Sequence, residues 1–156
     1  MAGVCSQQLN YHFQSLVPLF CAELHNVNSS IQRLTEAVKE GGDDKSLQEE
    51  LARFEAIKAC AAAIMGAVNT PGVNFLCSEL GSQIEHETSV SNRQWGCWLA
   101  EQFFRHSKAD FLEFVPVLLR YLLGRVVEVE RDLQQAVSAW WRCAFKIFCL
   151  IEILYS

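Results

Sequence analysis

Apolar residues recur at intervals of three and four along most of the chain, and this spacing predicts helices. No alternation of apolar and polar residues is sustained long enough to predict a strand. A first amphipathic helix is expected over residues 9–24, with Pro18 as a kink. A polar stretch, 25–46, follows and contains a weaker helical pattern over 31–38. The pattern predicts an all-α protein.

Glycine and proline mark where the later helices begin and end. Gly41-Gly42 interrupts the pattern, and Asp44 or Ser46 is expected to cap the next helix. Thr70-Pro71-Gly72 predicts a second break. Pro116 suits the start of a helix, because proline lacks the N–H that a first turn leaves unpaired. The helices expected after Gly42 cover 44–69, 73–86, 95 onward, 115–129 and 138 into the tail, with a polar loop at 87–92.

Two of these helices, starting near Trp95 and Val115, are the most apolar. The second is apolar on nearly every side, which is typical of a helix buried by its neighbours. It is too short to span a membrane, and the apolar tail, 143–155, is also shorter than the roughly 20 residues of a span. Whether the tail touches a membrane stays open. We expect one domain over 1–156, a globular bundle of seven or eight helices with a central hydrophobic pair.

Composition narrows the function classes. Apolar residues make up 51% of the chain and charged residues 20%, which favours a filled core over disorder. The net charge of -5 and the scattered basic residues argue against nucleic-acid binding. The 7 cysteines are widely spaced and form no C-x-x-C pair, so we expect buried thiols in a reducing cytoplasm and no zinc site.

Sequence motifs of catalysis are missing from the chain. No nucleophile elbow, phosphate-binding loop or zinc-protease motif occurs. The histidines are isolated, and the carboxylates flanking His86 point away from a common centre, because adjacent helical residues diverge by about a third of a turn. We therefore expect no enzyme, no metal and no cofactor.

Three segments, in their order and spacing, point to a family. Asn74-Phe75-Leu76-Cys77-Ser78-Glu79-Leu80 precedes a loop and then Asn92-Arg93-Gln94-Trp95-Gly96-Cys97-Trp98-Leu99-Ala100. Further on comes Leu133-Gln134-Gln135-Ala136-Val137-Ser138-Ala139-Trp140-Trp141. This order resembles the first and second homology motifs of the Bcl-2 family of cell-death regulators.

The chain also departs from that family's pattern. Cys97 stands where the family has the arginine that pairs with a ligand aspartate, and either Arg93 or Arg105 could replace it. Ser138-Ala139 replaces a Gly-Gly pair, and the third homology motif is missing from 47–59. In these losses the chain resembles virus-encoded homologues of the family, which protect the cell from death.

The resemblance implies an apoptosis inhibitor that holds the BH3 helices of Bim-, Bak- or Bax-type proteins in a surface groove, in a host–virus setting. It implies a cytoplasmic protein, with association with the mitochondrial outer membrane and homodimerisation left open. The expected groove residues are Phe54, Ile57, Leu76, Glu79, Leu80, Asn92, Arg93, Trp95, Gly96, Leu99, Ala100 and Phe104.

Two other functions remain open. One is a helical scaffold or adaptor, such as a fragment of an armadillo-like array, that does not bind BH3 helices. No repeat of helix-pair length is visible in the sequence, because the helices differ in length and loop chemistry, and this weakens the scaffold hypothesis. The other is a lipid-carrying helical bundle.

Overall fold

The computed structural model describes residues 2–125 together with 134, 135, 138, 139, 141, 142 and 145; side chains are described from residue 10, except that of residue 122. Residues 2–125 form five α-helices and two single-turn 3₁₀ helices, and the seven described residues after 125 are also helical. The α-helices are α1 (Ala2–Lys39), α2 (Asp44–Ala67), α3 (Val73–Ile84), α4 (Val90–His106) and α5 (Val115–Leu123). The 3₁₀ turns, Thr70–Gly72 and Leu112–Phe114, precede α3 and α5.

The first helix is one continuous element of 38 residues, where two helices at 9–24 and 31–38 were expected. Its buried side chains continue at helical spacing from Phe13 to Val27, across the end predicted at residue 24. Pro18 lies inside the helix. The polar stretch that follows remains helical, because helix-forming residues such as Gln32 dominate it.

The boundaries of α2 follow from glycine geometry and capping. Gly41 has a φ of 97°, which side chains rarely adopt, and it ends α1. The residue that caps α2 is Asp43, whose carboxylate accepts a hydrogen bond from Lys45 N at 3.0 Å, so the expectation of Asp44 or Ser46 was one or more residues late. The helix ends at Ala67, two residues before the predicted end.

Helix α4 begins at Val90, earlier than the start predicted at Trp95. Ser89 caps it by accepting a hydrogen bond from Asn92 N at 3.2 Å, so the connection to α3 is shorter than the predicted 87–92 loop. Pro116 lies in the first turn of α5, as expected. The continuation of that helix to residue 129 and most of the predicted C-terminal helix lie outside the described residues.

The helices form two layers of consecutive pairs. Helices α1 and α2 make one pair and α3 and α4 the next; α1 packs on α3 in one layer, and α2 packs on α4 in the other. Phe54 meets Trp95 in the first halves of α2 and α4, and Gly66 lies against the His106 backbone at their ends, so these two helices run parallel. Helix α5 continues the first layer by packing on α3.

The all-α prediction is confirmed for the described residues, but the seven- or eight-helix bundle is not observed there. Of the two helices expected to form a central hydrophobic pair, α4 is largely buried, and the described part of α5 is buried on one face. Val115 and Leu118 of α5 are buried, whereas Val117 and Leu123 are 38% and 58% exposed, so the described part of this helix is not covered on every side. The core lies between the layers, where α1, α3 and α4 supply most of the buried side chains. No helix in the described part of the chain is long and apolar enough to cross a membrane.

Candidate functional site

Most residues expected to line a groove lie inside the protein. Leu76 of α3 and Leu99 of α4 are fully buried and join one cluster with Phe13 and Leu24 of α1. The buried members of the expected groove are Leu76, Leu80, Arg93, Trp95, Gly96, Leu99, Ala100 and Phe104. Because these eight positions are buried, they serve packing within the chain, and Trp95 among them also lines an open cleft at its edge.

The remaining four expected residues are half-buried and lie on different helices. Phe54 and Ile57 are on α2, where both pack against the edge of the core. Glu79 lies on α3, in the opposite layer. Asn92 lies in the first turn of α4 and bonds within the chain: its Nδ2 donates to Gln83 Oε1 at 2.7 Å. The amide expected to meet a ligand thus joins α4 to α3.

Two arginines were considered as substitutes for a motif arginine at Cys97, and both are engaged within the chain. Cys97 itself is fully buried. Arg93 is buried, and its Nη1 donates to the His86 carbonyl at 2.9 Å, which ties α4 to the turn before it. Arg105 Nη2 lies 2.7 Å from Glu101 Oε1, one turn back along α4.

The missing side chain of Gly96 allows α3 to pack closely against α4; it does not make room for a ligand. A Cβ at this position would lie 3.0 Å from Gln83 Cβ and 3.2 Å from the Ile84 backbone nitrogen. Any larger residue would therefore force α3 away by a few tenths of an ångström where α3 and α4 are in contact. In the Trp95-Gly96 sequence, which suggested a homology motif, Gly96 thus serves the packing of α3 on α4, and Trp95 contacts Phe54 of α2.

An open cleft of about 290 Å³ lies over α2 and α4. We call it the α2/α4 cleft. It is lined by Phe54, Lys58, Gln94, Trp95, Trp98, Glu101, Gln135 and Ala139. Gln135 and Ala139 come from the segment after α5, so the cleft brings together three parts of the chain that are distant in sequence.

Three aromatic rings give the cleft an apolar wall. The rings of Phe54 and Trp95 meet edge to face with centroids 5.9 Å apart, and those of Trp95 and Trp98 do the same at 6.2 Å. Trp95 is only 6% exposed, whereas Phe54 and Trp98 are half-buried. Such edge-to-face pairs fix ring orientation, so Trp95 holds its two more accessible neighbours in place.

Two charged groups complete the cleft, and each has an intrahelical partner. Lys58 Nζ lies 3.2 Å from Glu55 Oε1 and 5.2 Å from the centre of the Phe54 ring. The Glu101 side chain is only 8% exposed and binds Arg105. The cleft therefore combines aromatic faces, amide groups and a nearly buried carboxylate, a composition suited to holding a protein side chain.

A second cleft of about 350 Å³ lies where the connections between helix pairs meet. Thr70, Pro71 and Asn74 line one side, and Asp110 and Glu113 are on the other. Asp110 N donates to Thr70 Oγ1 at 3.1 Å, which links the two connections. Phe114 is the one aromatic side chain among its lining residues, so this cleft has no aromatic cluster comparable to that of the α2/α4 cleft.

Cysteine chemistry gives no further site in the described residues. Burial raises the pKa of the Cys21 and Cys77 thiols to about 12, so both stay protonated and weakly nucleophilic at neutral pH. Cys60 on α2 is exposed. The described residues hold no group of three metal-ligating side chains.

Comparison with known proteins shows the family to which this arrangement of paired helices in two layers belongs. A family model described as "Stalled ribosome sensor GCN1-like, HEAT repeats" matches residues 1–146. The chain belongs to this HEAT-repeat family. The comparisons with curated proteins and with solved structures find no match.

HEAT repeats are helix pairs that stack side by side, each pair burying the apolar face of the next. The α1/α2 and α3/α4 pairs have this arrangement, and α5 opens the next position in the first layer. The Bcl-2 resemblance is therefore wrong, and so is the predicted sequestration of BH3 helices, with its apoptotic and viral setting. The scaffold alternative fits the family better.

Sequence reasoning found Phe54 and Trp95 but missed the other residues of the α2/α4 cleft. Lys58 and Glu101 look like ordinary surface charges in the sequence, and Trp98 looks like a core residue. A visible signal was the Trp95–Trp98 spacing, which places both indoles one turn apart along a helix. That α2 lies beside them follows only from the stacking of the helix pairs.

Proposed function

We propose that the chain is a non-enzymatic HEAT-repeat scaffold that binds a partner protein through the exposed face of α2 and α4. The observation that carries this proposal is the α2/α4 cleft, where aromatic and charged side chains lie on an accessible surface. Rigid helices support it from behind, because α4 packs on α1, α2 and α3 at once. A preorganised surface of this kind loses little entropy on binding.

The partner on this surface is a protein rather than a nucleic acid. The net charge of -5 disfavours contact with a phosphate backbone. Aromatic side chains with a charged rim are typical of protein–protein contacts. The single-domain interpretation of residues 1–156 remains part of the proposal.

The family description supplies the setting. It names a stalled-ribosome sensor, and we propose that this chain contributes a protein-binding surface to that process in the cytoplasm. The chain would then engage a protein at arrested ribosomes rather than the ribosomal RNA. Dimerisation through the same face is an alternative outcome.

Co-sedimentation tests the proposal. The tagged chain is mixed with ribosomes from cells in which elongation has been arrested, and in parallel with ribosomes from untreated cells. We expect enrichment with the arrested ribosomes, and crosslinks to protein rather than to RNA. A folded chain that stays at the top of both gradients would contradict the proposal.

A matched pair of variants makes the test specific to the cleft. Trp98→Ala removes an accessible aromatic ring from the cleft, and Tyr11→Ala removes a 78% exposed ring from α1 in the other layer. We expect the first variant to lose ribosome association and the second to retain it. Equal loss in both would place the binding surface elsewhere.

A further inference from the structure

The α2/α4 cleft contains a nearly buried carboxylate whose hydrogen-bonding capacity is only half used. Arg105 Nε and Nη2 both approach Oε1 of Glu101, at 2.8 and 2.7 Å. Its other oxygen, Oε2, has no donor among the described residues and is not one of their fully enclosed polar atoms without a partner, so it is open to solvent. The side chain as a whole is 8% exposed, and a carboxylate can accept hydrogen bonds at both of its oxygens. A hydrogen-bond donor on another molecule could therefore bind this carboxylate at Oε2.

The rings around this carboxylate suit a cation. Trp95 and Trp98 line the cleft with Glu101, and indole faces attract positive charge more strongly than other aromatic rings do. The Lys58 ammonium already lies 5.2 Å from the centre of the Phe54 ring in the same cleft. Glu55 pairs with Lys58 at 3.2 Å and Arg105 pairs with Glu101 Oε1, so these four charges balance. A second cation would therefore be held by the indole face and by Glu101 Oε2 rather than by net charge.

We propose that the α2/α4 cleft binds an arginine side chain of the partner protein, with the guanidinium stacked on Trp98 and donating to Glu101 Oε2. This proposal rests on the proposed function and specifies its partner chemistry. Arginine fits better than lysine because its guanidinium is planar and weakly hydrated, so it stacks on an indole while forming hydrogen bonds in its plane. The chain's net charge of -5 also favours encounter with a basic segment.

Titration with a minimal ligand tests this directly. N-acetyl-arginine amide is added to the isotopically labelled chain, and the indole N–H resonances are followed by NMR. We expect Trp95 and Trp98 to shift, with half-saturation at roughly millimolar concentration. N-acetyl-citrulline amide has nearly the same shape without the charge, and we expect at least about tenfold weaker binding.

Variants of Glu101 and Trp98 distinguish the contribution of the carboxylate charge to arginine binding from that of the aromatic ring. Glu101→Gln keeps the shape of the side chain, and we expect about tenfold weaker arginine binding. Trp98→Ala should weaken binding by about fivefold or more, and Trp98→Phe should restore part of it. Glu113→Gln, in the second cleft, is the matched control and should change nothing. Equal binding of citrulline, no effect of Glu101→Gln, or no indole shift in the folded chain would each overturn the proposal.

The same variants in the ribosome assay distinguish this inference from the proposed function. If the unaltered chain co-sediments with arrested ribosomes and Glu101→Gln does so equally, the arginine proposal is wrong and the scaffold function stands. If Glu101→Gln alone loses co-sedimentation while Glu113→Gln keeps it, both are supported. If the unaltered chain does not co-sediment, the proposed function fails, and the arginine proposal is wrong with it as an account of the partner.

Discussion

Helices α2 and α4 lie side by side and parallel, yet they are stabilised in different ways. Helix α4 has 17 residues, and nine of them are buried, including Arg93 and Glu101. Helix α2 has 24 residues, and only Ala61 and Met65 are buried. The difference follows from position, because α4 packs on three helices of the two pairs and α2 leaves a whole face exposed.

Local interactions therefore matter more in α2. Asp43 caps its first turn, and Arg53 Nη2 lies 3.1 Å from Glu23 Oε2 on α1. Such exposed ion pairs contribute about 0–1 kcal/mol each, whereas one buried aromatic side chain contributes several times as much. The comparison teaches that the α2/α4 cleft lies between a tightly packed helix and a loosely held one. Substitutions in the two helices should differ accordingly.

The largest effect is expected in the interior of α4. Phe103 is fully buried and contacts the rings of Phe104 and Phe111, so Phe103→Ala should lower the free energy of unfolding by about 3–5 kcal/mol. Leu51→Ala, at a 37% exposed position of α2, should cost less than about 1 kcal/mol. Urea denaturation measures both. Similar losses for the two variants would refute the contrast between the helices.

The contact between α3 and α4 gives the next effect. Gly96→Ala places a methyl group 3.0–3.2 Å from Gln83 and Ile84, and the expected loss is about 1–3 kcal/mol. Gly124→Ala is the matched control, because its Cβ would meet the nearest atoms at an ordinary 3.5 Å. Thermal unfolding should show a lower Tm for the first variant and little change for the second.

The buried arginine of α4 should contribute a comparable or smaller amount. Arg93→Met keeps the aliphatic bulk but removes the hydrogen bonds to the carbonyls of His86 and Glu87, at 2.9 and 3.3 Å. We expect a loss of about 1–3 kcal/mol in chemical denaturation, since those carbonyls lose their charged donor. Arg33→Met, at an exposed position of α1, should change the stability by less than about 0.5 kcal/mol. A neutral Arg93→Met would mean that water replaces the lost bonds.

The smallest effect is expected at the start of α2. Asp43→Ala removes the cap and should cost about 1 kcal/mol, with faster hydrogen exchange confined to the first turns of α2. Asp44→Ala should cost less, because it loses only its interaction with the helix dipole. If Asp44→Ala were the more damaging of the two, Asp44 rather than Asp43 would be the effective cap.

Much of the local structure was predictable from the sequence. The Gly41-Gly42 break, the Thr70-Pro71-Gly72 turn and the α5 start near Pro116 all agree with the structure. The start of α4 was misplaced because Trp95 was taken as the first helical residue, although Ser89 is the better cap. The end of α1 was predicted too early, at residue 24, because the polar residues that follow were interpreted as a loop.

The site was harder to predict, for a reason visible in three residues. Leu76, Leu99 and Phe54 have the same apolar character in the sequence, but the first two are fully buried and the third lines an open cleft. Helical spacing identifies which face of a helix is apolar, and it does not say which neighbour covers that face. The motif-like order of Trp95-Gly96 then suggested a family to which the chain does not belong.

The amino-acid sequence alone determined that the chain is helical and where glycine, proline and capping residues divide it. It also determined which faces of the helices are apolar. These features depend on interactions within a few residues. Only the tertiary structure decided that the helices stack as consecutive pairs, that α1 covers the predicted groove, and that Phe54, Trp98 and Glu101 meet at one cleft. Those outcomes depend on which distant surfaces bury each other, and helices with similar apolar faces can satisfy that requirement in more than one arrangement.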